Sequence, residues 1–424
     1  MTRDASENRQ NGWWRDQTFL DDLRRNAQDR PDKPVLIAYR PPDDTKPRIV
    51  DYAELARVTD GFVAALVGLG IKHGDVVALQ FPNWWEAAPL GLACAQVGAR
   101  ICLLMPIYGR HEIEHMLRRT GARLCITVTE WQGARLADIV ADLAGQLPQL
   151  DHVVVADTVP GIPHPAGTLS FTEVFRTDPP AGADAAAKEP RSSLIALEPD
   201  EPFLILFTSG TTGESKGVVH SQNTLYAGCR AYAEPLGLDS SSVVFVAHTT
   251  MYYTGFVLGM LLPVMLGGTA LVQEDWDADI HLDLVQRHGV TAFYGGPHIL
   301  VDLIAAQRAN PRDVSRLRRV VTGGAPIPPH VVEQVDEVLG AEAFALWGMT
   351  ENGTVTITRS DDPPGWAAHS DGSVVDGMQV RIDTASGAGD GSGKLWVRGA
   401  NQCLGYFGRD DLYAEALDED GWFD

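Results

Sequence analysis

Phe203-Leu-Ile-Leu-Phe-Thr-Ser-Gly-Thr-Thr-Gly-Glu-Ser-Lys-Gly-Val-Val-His-Ser221 runs through the middle of this 424-residue chain. The apolar residues 203–207 predict a buried strand, and residues 217–221 predict a second short strand before a helix. Between them, glycines at 210, 213 and 217 alternate with hydroxyls at 208, 209, 211, 212 and 215, and Lys216 closes the run. Glycine lets the backbone approach an anion, and exposed N–H groups form a nest for its oxygens. Ser and Thr add directional donors, and lysine adds a mobile positive charge. Such a loop suits a polyphosphate. An ordinary surface turn does not combine this density of donors with a lysine directly after a buried strand. The common nucleotide P-loop is excluded, because it needs Ser or Thr directly after its lysine and a helix there. Gly217 follows Lys216, so a carboxylate for a metal has to come from elsewhere.

Outward from this loop, helical and strand patterns alternate, which predicts an α/β fold. Leu55, Val58, Phe62, Leu66 and Leu69 recur at helical spacing ahead of a strand at 76–80. Similar pairs occur at 111–119 with 124–128, and at 280–287 with 292–294. Residues 256–272 are uncharged but broken by Pro263 and Gly267-Gly268, and read as a buried helix turning into a strand. Pro and Ala accumulate over 177–202, which reads as a linker. Beyond about 354, short strands with Gly and Asp turns predict a small β-barrel. The expected organisation is two layered α/β subdomains, 1–190 and 191–354, followed by a β-barrel subdomain, 355–424.

Thr-Ser-Gly-Thr-Thr-Gly-x-x-Lys-Gly over 208–217 resembles the phosphate loop of the adenylate-forming superfamily, which includes acyl- and aryl-CoA ligases. Further stretches resemble that family in order: Gly74-Asp-Val-Val-Ala-Leu-Gln-Phe-Pro-Asn83, Thr322-Gly-Gly-Ala-Pro326, Trp347-Gly-Met-Thr-Glu351, Lys394-Leu-Trp-Val-Arg-Gly399 and Gly405-Tyr-Phe407. The likeness runs from about Trp13 to the end of the chain and implies the fold of the large N-terminal domain. Ser215 replaces the usual proline, and Lys394 stands where glutamate is common. At Gly421-Trp-Phe-Asp424 the family continues into Thr-Gly-Asp. The ribose-binding aspartate, the hinge and the mobile C-terminal domain with its lysine are therefore expected to lie outside this sequence, and the fragment is expected to lack full activity.

The resemblance implies a site. Thr208, Ser209, Gly210, Thr211, Thr212 and Gly213 would cradle the phosphates of ATP or AMP with Lys216. Gly323, Gly324, Ala325, Pro326, Trp347 and Gly348 would hold adenine, with Trp347 stacked on it. Thr350 would contact the α-phosphate, and Glu351 with Thr208 would hold Mg2+, a hard cation that prefers oxygen ligands. A helix-start glutamate and a core tryptophan are the plain alternatives for Glu351 and Trp347. His248, in Val246-Ala-His-Thr-Thr-Met-Tyr-Tyr-Thr-Gly255, would flank the carboxylate. Met251, Tyr252, Tyr253, Gly324 and Met349 would line the acid pocket, although an aromatic cluster can equally be core.

His111-Glu-Ile-Glu-His115 matches a zinc-protease pattern. No third ligand follows nearby, and an exposed helix face explains the charges. Acidic residues outnumber basic ones by 56 to 34, which argues against nonspecific nucleic-acid binding. Five cysteines without paired spacing fit buried thiols in a reducing compartment. No apolar stretch suits a signal peptide or membrane span, so a cytoplasmic protein is expected.

The implied reaction is ATP-dependent activation of a small alicyclic, aryl or medium-chain acid, followed by transfer to coenzyme A. The same adenylate chemistry leaves two alternatives: a diazotase-type enzyme delivering nitrite to an aryl amine, and a module loading a carrier protein.

Overall fold

The computed structural model describes residues 2–40, 46–159, 161–177, 194–208, 215–384 and 392–424. Most of the expected linker lies outside these residues. Two large twisted sheets carry the fold. In the first, Gly405–Tyr406, Lys216–Ser221, Pro202–Thr208, Arg100–Leu103, Val76–Leu79, Leu124–Val128, His152–Ala156 and Leu169–Ser170 lie side by side. The strands after Lys216–Ser221 are mutually parallel, and their near-continuous apolar content fits a sheet covered on both faces. Lys216–Ser221 returns antiparallel to Pro202–Thr208, with Thr208 opposite Lys216.

The second sheet runs from Ser373–Val374 through Gly353–Ile357, Glu342–Met349, Arg319–Gly323, Ala292–Tyr294, Val243–Val246, Thr269–Gln273 and Pro34–Tyr39 to Arg48–Asp51. The sheets do not follow the expected linear division at 190/191. Pro34–Tyr39 joins the second sheet beside Thr269–Gln273, and Pro202–Thr208 joins the first beside Arg100–Leu103. A boundary read from composition marks where the chain is polar, and it carries no information on which edge the next strand will pair with. The third subdomain also differs from expectation. Its described residues form a two-stranded sheet, Met378–Asp383 with Lys394–Gly399, and no closed barrel.

The helix Gln222–Ala233 is buried along nearly its whole length and packs on both Lys216–Ser221 and Gly353–Ile357. Ser221 caps it by accepting from the Thr224 N–H, so the helix starts directly at the end of the strand. The uncharged stretch after Tyr253 is a π-helix, Thr254–Leu261, continued by the short α-helix Leu262–Leu266 and the strand Thr269–Gln273. π-turns are rare and gather at functional sites. The N-terminal Trp-Trp-Arg ties distant parts together. Trp13 Nε1 donates to Asp376 (2.8 Å), Trp14 Nε1 to the Ala400 carbonyl (2.9 Å), and Arg15 pairs with the buried Asp22. All five cysteines are buried and free, and no described helix is long and apolar enough to cross a membrane.

Candidate active site

The C-terminal ends of both sheets converge on one cavity, the usual place for a ligand in open α/β sheets. It measures about 480 Å³, and Thr208, Lys216, His248, Tyr252, Tyr253, Tyr294, Met349, Thr350 and Glu351 line it. A second cavity of about 560 Å³ adjoins it, lined by Gly324, Ala325, Pro326, Trp347 and Gly348. Gly324, Leu346 and Gly348 belong to both.

Thr350 and Glu351 occupy the turn between the antiparallel strands Glu342–Met349 and Gly353–Ile357. The Asn352 N–H donates to the Met349 carbonyl (3.1 Å), so this is a hairpin turn and not a helix start. Four contacts fix the turn. His220 Nε2 lies 2.7 Å from the Thr350 carbonyl, and the Tyr252 hydroxyl lies 2.7 Å from Thr350 Oγ1. The Cys403 N–H donates to the Glu351 carbonyl (2.7 Å), and the Tyr406 hydroxyl donates to Glu351 Oε1 (2.9 Å). Burial drives the His220 pKa down to about 4, partly opposed by the Thr350 carbonyl. A neutral ring therefore braces the turn.

The segment carrying His248 is clamped by the early motif. Asn83 Nδ2 donates to the His248 carbonyl (3.3 Å), while Asn83 Oδ1 accepts from the Thr250 N–H (2.8 Å). Burial, followed by the nearby His298, lowers the His248 pKa to about 4. Its ring centroid lies 5.3 Å from that of Tyr294, and it also borders a recess of about 250 Å³ on its far side. Across the cavity, the Lys216 ammonium sits 5.0 Å from the centroid of the Tyr406 ring.

Not every expected residue is placed here. Ser209, Gly210, Thr211, Thr212 and Gly213 lie outside the described residues. Met251 is buried in the core and does not line the cavity. A Cβ on Gly323 would sit 2.3 Å from the Leu346 carbonyl oxygen. Glycine there lets neighbouring strands approach and does not open room for a purine. His115 turns toward the edge of Phe207 at 5.9 Å, whereas His111 is exposed, so the two histidines do not share one exposed face.

Residues that the sequence reading missed are Tyr294, Leu258 and the hydroxyl of Tyr406. Tyr294 ends a predicted strand, and strand ends were the available signal. Tyr406 stands in Gly405-Tyr-Phe407, and nothing in one dimension links it to Glu351.

The AMP-binding enzyme family profile matches residues 23–407. The medium-chain fatty-acid–CoA ligase of Escherichia coli (strain K12) is 29% identical, over 98% of this chain and 70% of that protein. A salicylyl-CoA synthase / salicylate adenylyltransferase of a Streptomyces species is 27% identical, over 99% of this chain and 74% of that protein. The apo structure of Mycobacterium smegmatis MbtA superposes with a TM-score of 0.84 at 27% identity, covering 100% of this chain and 74% of that one.

Proposed function

This chain belongs to the AMP-binding enzyme family and is an adenylate-forming ligase, and on that premise we propose that its acid is compact: alicyclic, aryl or medium-chain. Coenzyme A is the proposed acceptor. The observation that carries this reading is the pair of cavities joined at Gly324, Leu346 and Gly348, with Lys216, Thr350 and Glu351 on the wall of one. An acyl-adenylate has the same form: two lobes joined through one phosphate. In the proposed arrangement the Trp347 cavity takes the adenine. The cavity walled by Tyr252, Tyr253, Leu258, Tyr294 and His248 takes the acid.

The acid's carboxylate oxygen attacks the α-phosphorus. The bond from that phosphorus to the bridging oxygen breaks, and pyrophosphate leaves with the electron pair. Lys216 stabilises charge on the phosphates, and Thr350 donates to the α-phosphate from a turn already fixed by His220 and Tyr252. Preorganised donors of this kind contribute more than flexible ones, because they need no rearrangement as charge develops. Neutral His248 borders the carboxylate without forming an ion pair that would hold it back. In the second half-reaction, a thiol sulfur bonds to the acyl carbon, the bond from that carbon to the phosphate oxygen breaks, AMP leaves with the electron pair, and the thiol proton passes to solvent.

The Glu351 carboxylate and Thr208 hydroxyl are hard oxygen donors on one cavity wall, and they fit magnesium. Bound there, the ion would screen the charge of the polyphosphate. The names of the two relatives support both medium-chain and aryl acids, and the aromatic walls favour a flat or cyclic group.

A pyrophosphate-release screen tests this reading, using aliphatic, alicyclic and aryl acids, and nitrite with aminoaryl acids. Acid-dependent release followed by a CoA thioester is expected. Release that instead requires nitrite, with loss of the aryl amine, contradicts it.

A further inference from the structure

Tyr406 stands between the two opposite charges of the proposed site. Its hydroxyl donates to Glu351 Oε1 at 2.9 Å, and its ring lies 5.0 Å beneath the Lys216 ammonium. The side chain is 3% exposed, which leaves it little freedom to move away. Backbone pairing fixes it further: Tyr406 is opposite Val218 in the sheet, and the Phe407 N–H donates to the Gly217 carbonyl (2.7 Å). Tyr413 and Phe423 hold the ring edges, with centroids at 5.6 and 6.5 Å. Lys216 and Glu351 line the same cavity, yet among the described residues no ion pair joins them.

An ammonium and a carboxylate free to meet in a partly buried cleft would neutralise one another. The lysine would then be lost to phosphate and the glutamate to a cation. We propose that Tyr406 is a positioning residue that prevents this collapse. Its hydroxyl occupies one carboxylate oxygen and fixes the orientation of Glu351, while its π-face gives the ammonium a weak cation–π resting place. Both groups remain available for a magnesium nucleotide. This inference rests on the proposed reading of Lys216 and Glu351, and deepens it by assigning a residue that touches neither substrate nor metal.

Calorimetric titration of the chain with α,β-methylene-ATP, with and without Mg2+, tests it. Tyr406→Phe removes the hydroxyl and keeps the ring. It should reduce the gain in affinity that Mg2+ gives by about tenfold, the scale of a lost hydrogen bond to a charged group, and leave metal-free affinity unchanged. Tyr406→Leu also removes the ring, so it should weaken metal-free binding as well. In a Lys216→Met background, Tyr406→Leu should have no further effect on metal-free affinity, because no ammonium remains to be captured. A purely structural tyrosine would weaken binding equally with and without metal, in either background. That result, or an unchanged Mg2+ gain in Tyr406→Phe, overturns the inference while leaving the proposed function standing. Absence of Mg2+-dependent binding in the unmutated chain overturns both.

Discussion

The Tyr252 hydroxyl lies 2.7 Å from Thr350 Oγ1, so the wall of the proposed acid cavity is bonded to the turn that carries Glu351. Occupancy of the acid cavity can therefore be felt at the α-phosphate contact. Tyr252→Phe should lower kcat/KM for pyrophosphate release about fivefold, the scale of one neutral hydrogen bond. The thermal midpoint should be little changed, because the hydroxyl lies on a cavity wall. Steady-state kinetics with saturating acid provides the measurement.

Lys216 begins its strand directly opposite Thr208 and carries the proposed phosphate charge. Lys216→Ala should weaken binding of α,β-methylene-ATP about tenfold or more, by removing a charged donor. The circular dichroism spectrum should stay the same. Unaltered affinity would remove Lys216 from the nucleotide site.

Gly353 has φ +55°, and a Cβ there would sit 2.3 Å from the Tyr253 hydroxyl. Gly353→Ala should therefore cost about 2 kcal/mol or more in urea unfolding, combining backbone strain with overpacking. Adding Tyr253→Phe should recover part of the loss by removing the atom nearest the new methyl. No recovery would place the strain in the backbone alone.

His281 stacks on Phe245 at 4.6 Å with nearly parallel rings, and burial lowers its pKa from 6.5 to about 4. Between these values the unfolded chain binds a proton that the folded chain excludes. Stability contributed by this group is complete above about pH 6.5 and falls as the pH drops toward 4. The loss is on the order of 3 kcal/mol. Urea midpoints between pH 4 and 7 should fall less steeply in His281→Phe than in the parent chain.

The alternation of helices and strands, and the two strands flanking the glycine-rich loop, were legible because burial periodicity and turn composition are local properties. The route of the strands between sheets was not. Pro34–Tyr39 pairs with Thr269–Gln273, more than two hundred residues away, and one-dimensional spacing does not encode such a partner. The site divides in the same way. Lys216, Thr350 and Glu351 sit in motifs that sequence can display, and the structure brings them to one cavity. The groups that orient them, His220, Tyr252 and Tyr406, come from three separate segments, and their roles exist only as distances. Gly323 illustrates the converse: a motif glycine read as ligand space serves strand packing.

The two-lobed site is tested most directly by calorimetric titration of this chain with non-hydrolysable acyl-sulfamoyl adenosines. Sulfamoyl adenosine without an acyl group is the reference. If the Trp347 cavity takes adenine and the Tyr252–His248 cavity takes the acid, compact cyclic acyl groups will tighten binding over the reference. Filling the acid cavity by Leu258→Trp, at a residue that lines that cavity and not the adenine one, will abolish that gain. Binding that is indifferent to the acyl group, or tightest for the bare nucleoside, would contradict acid adenylation at this site.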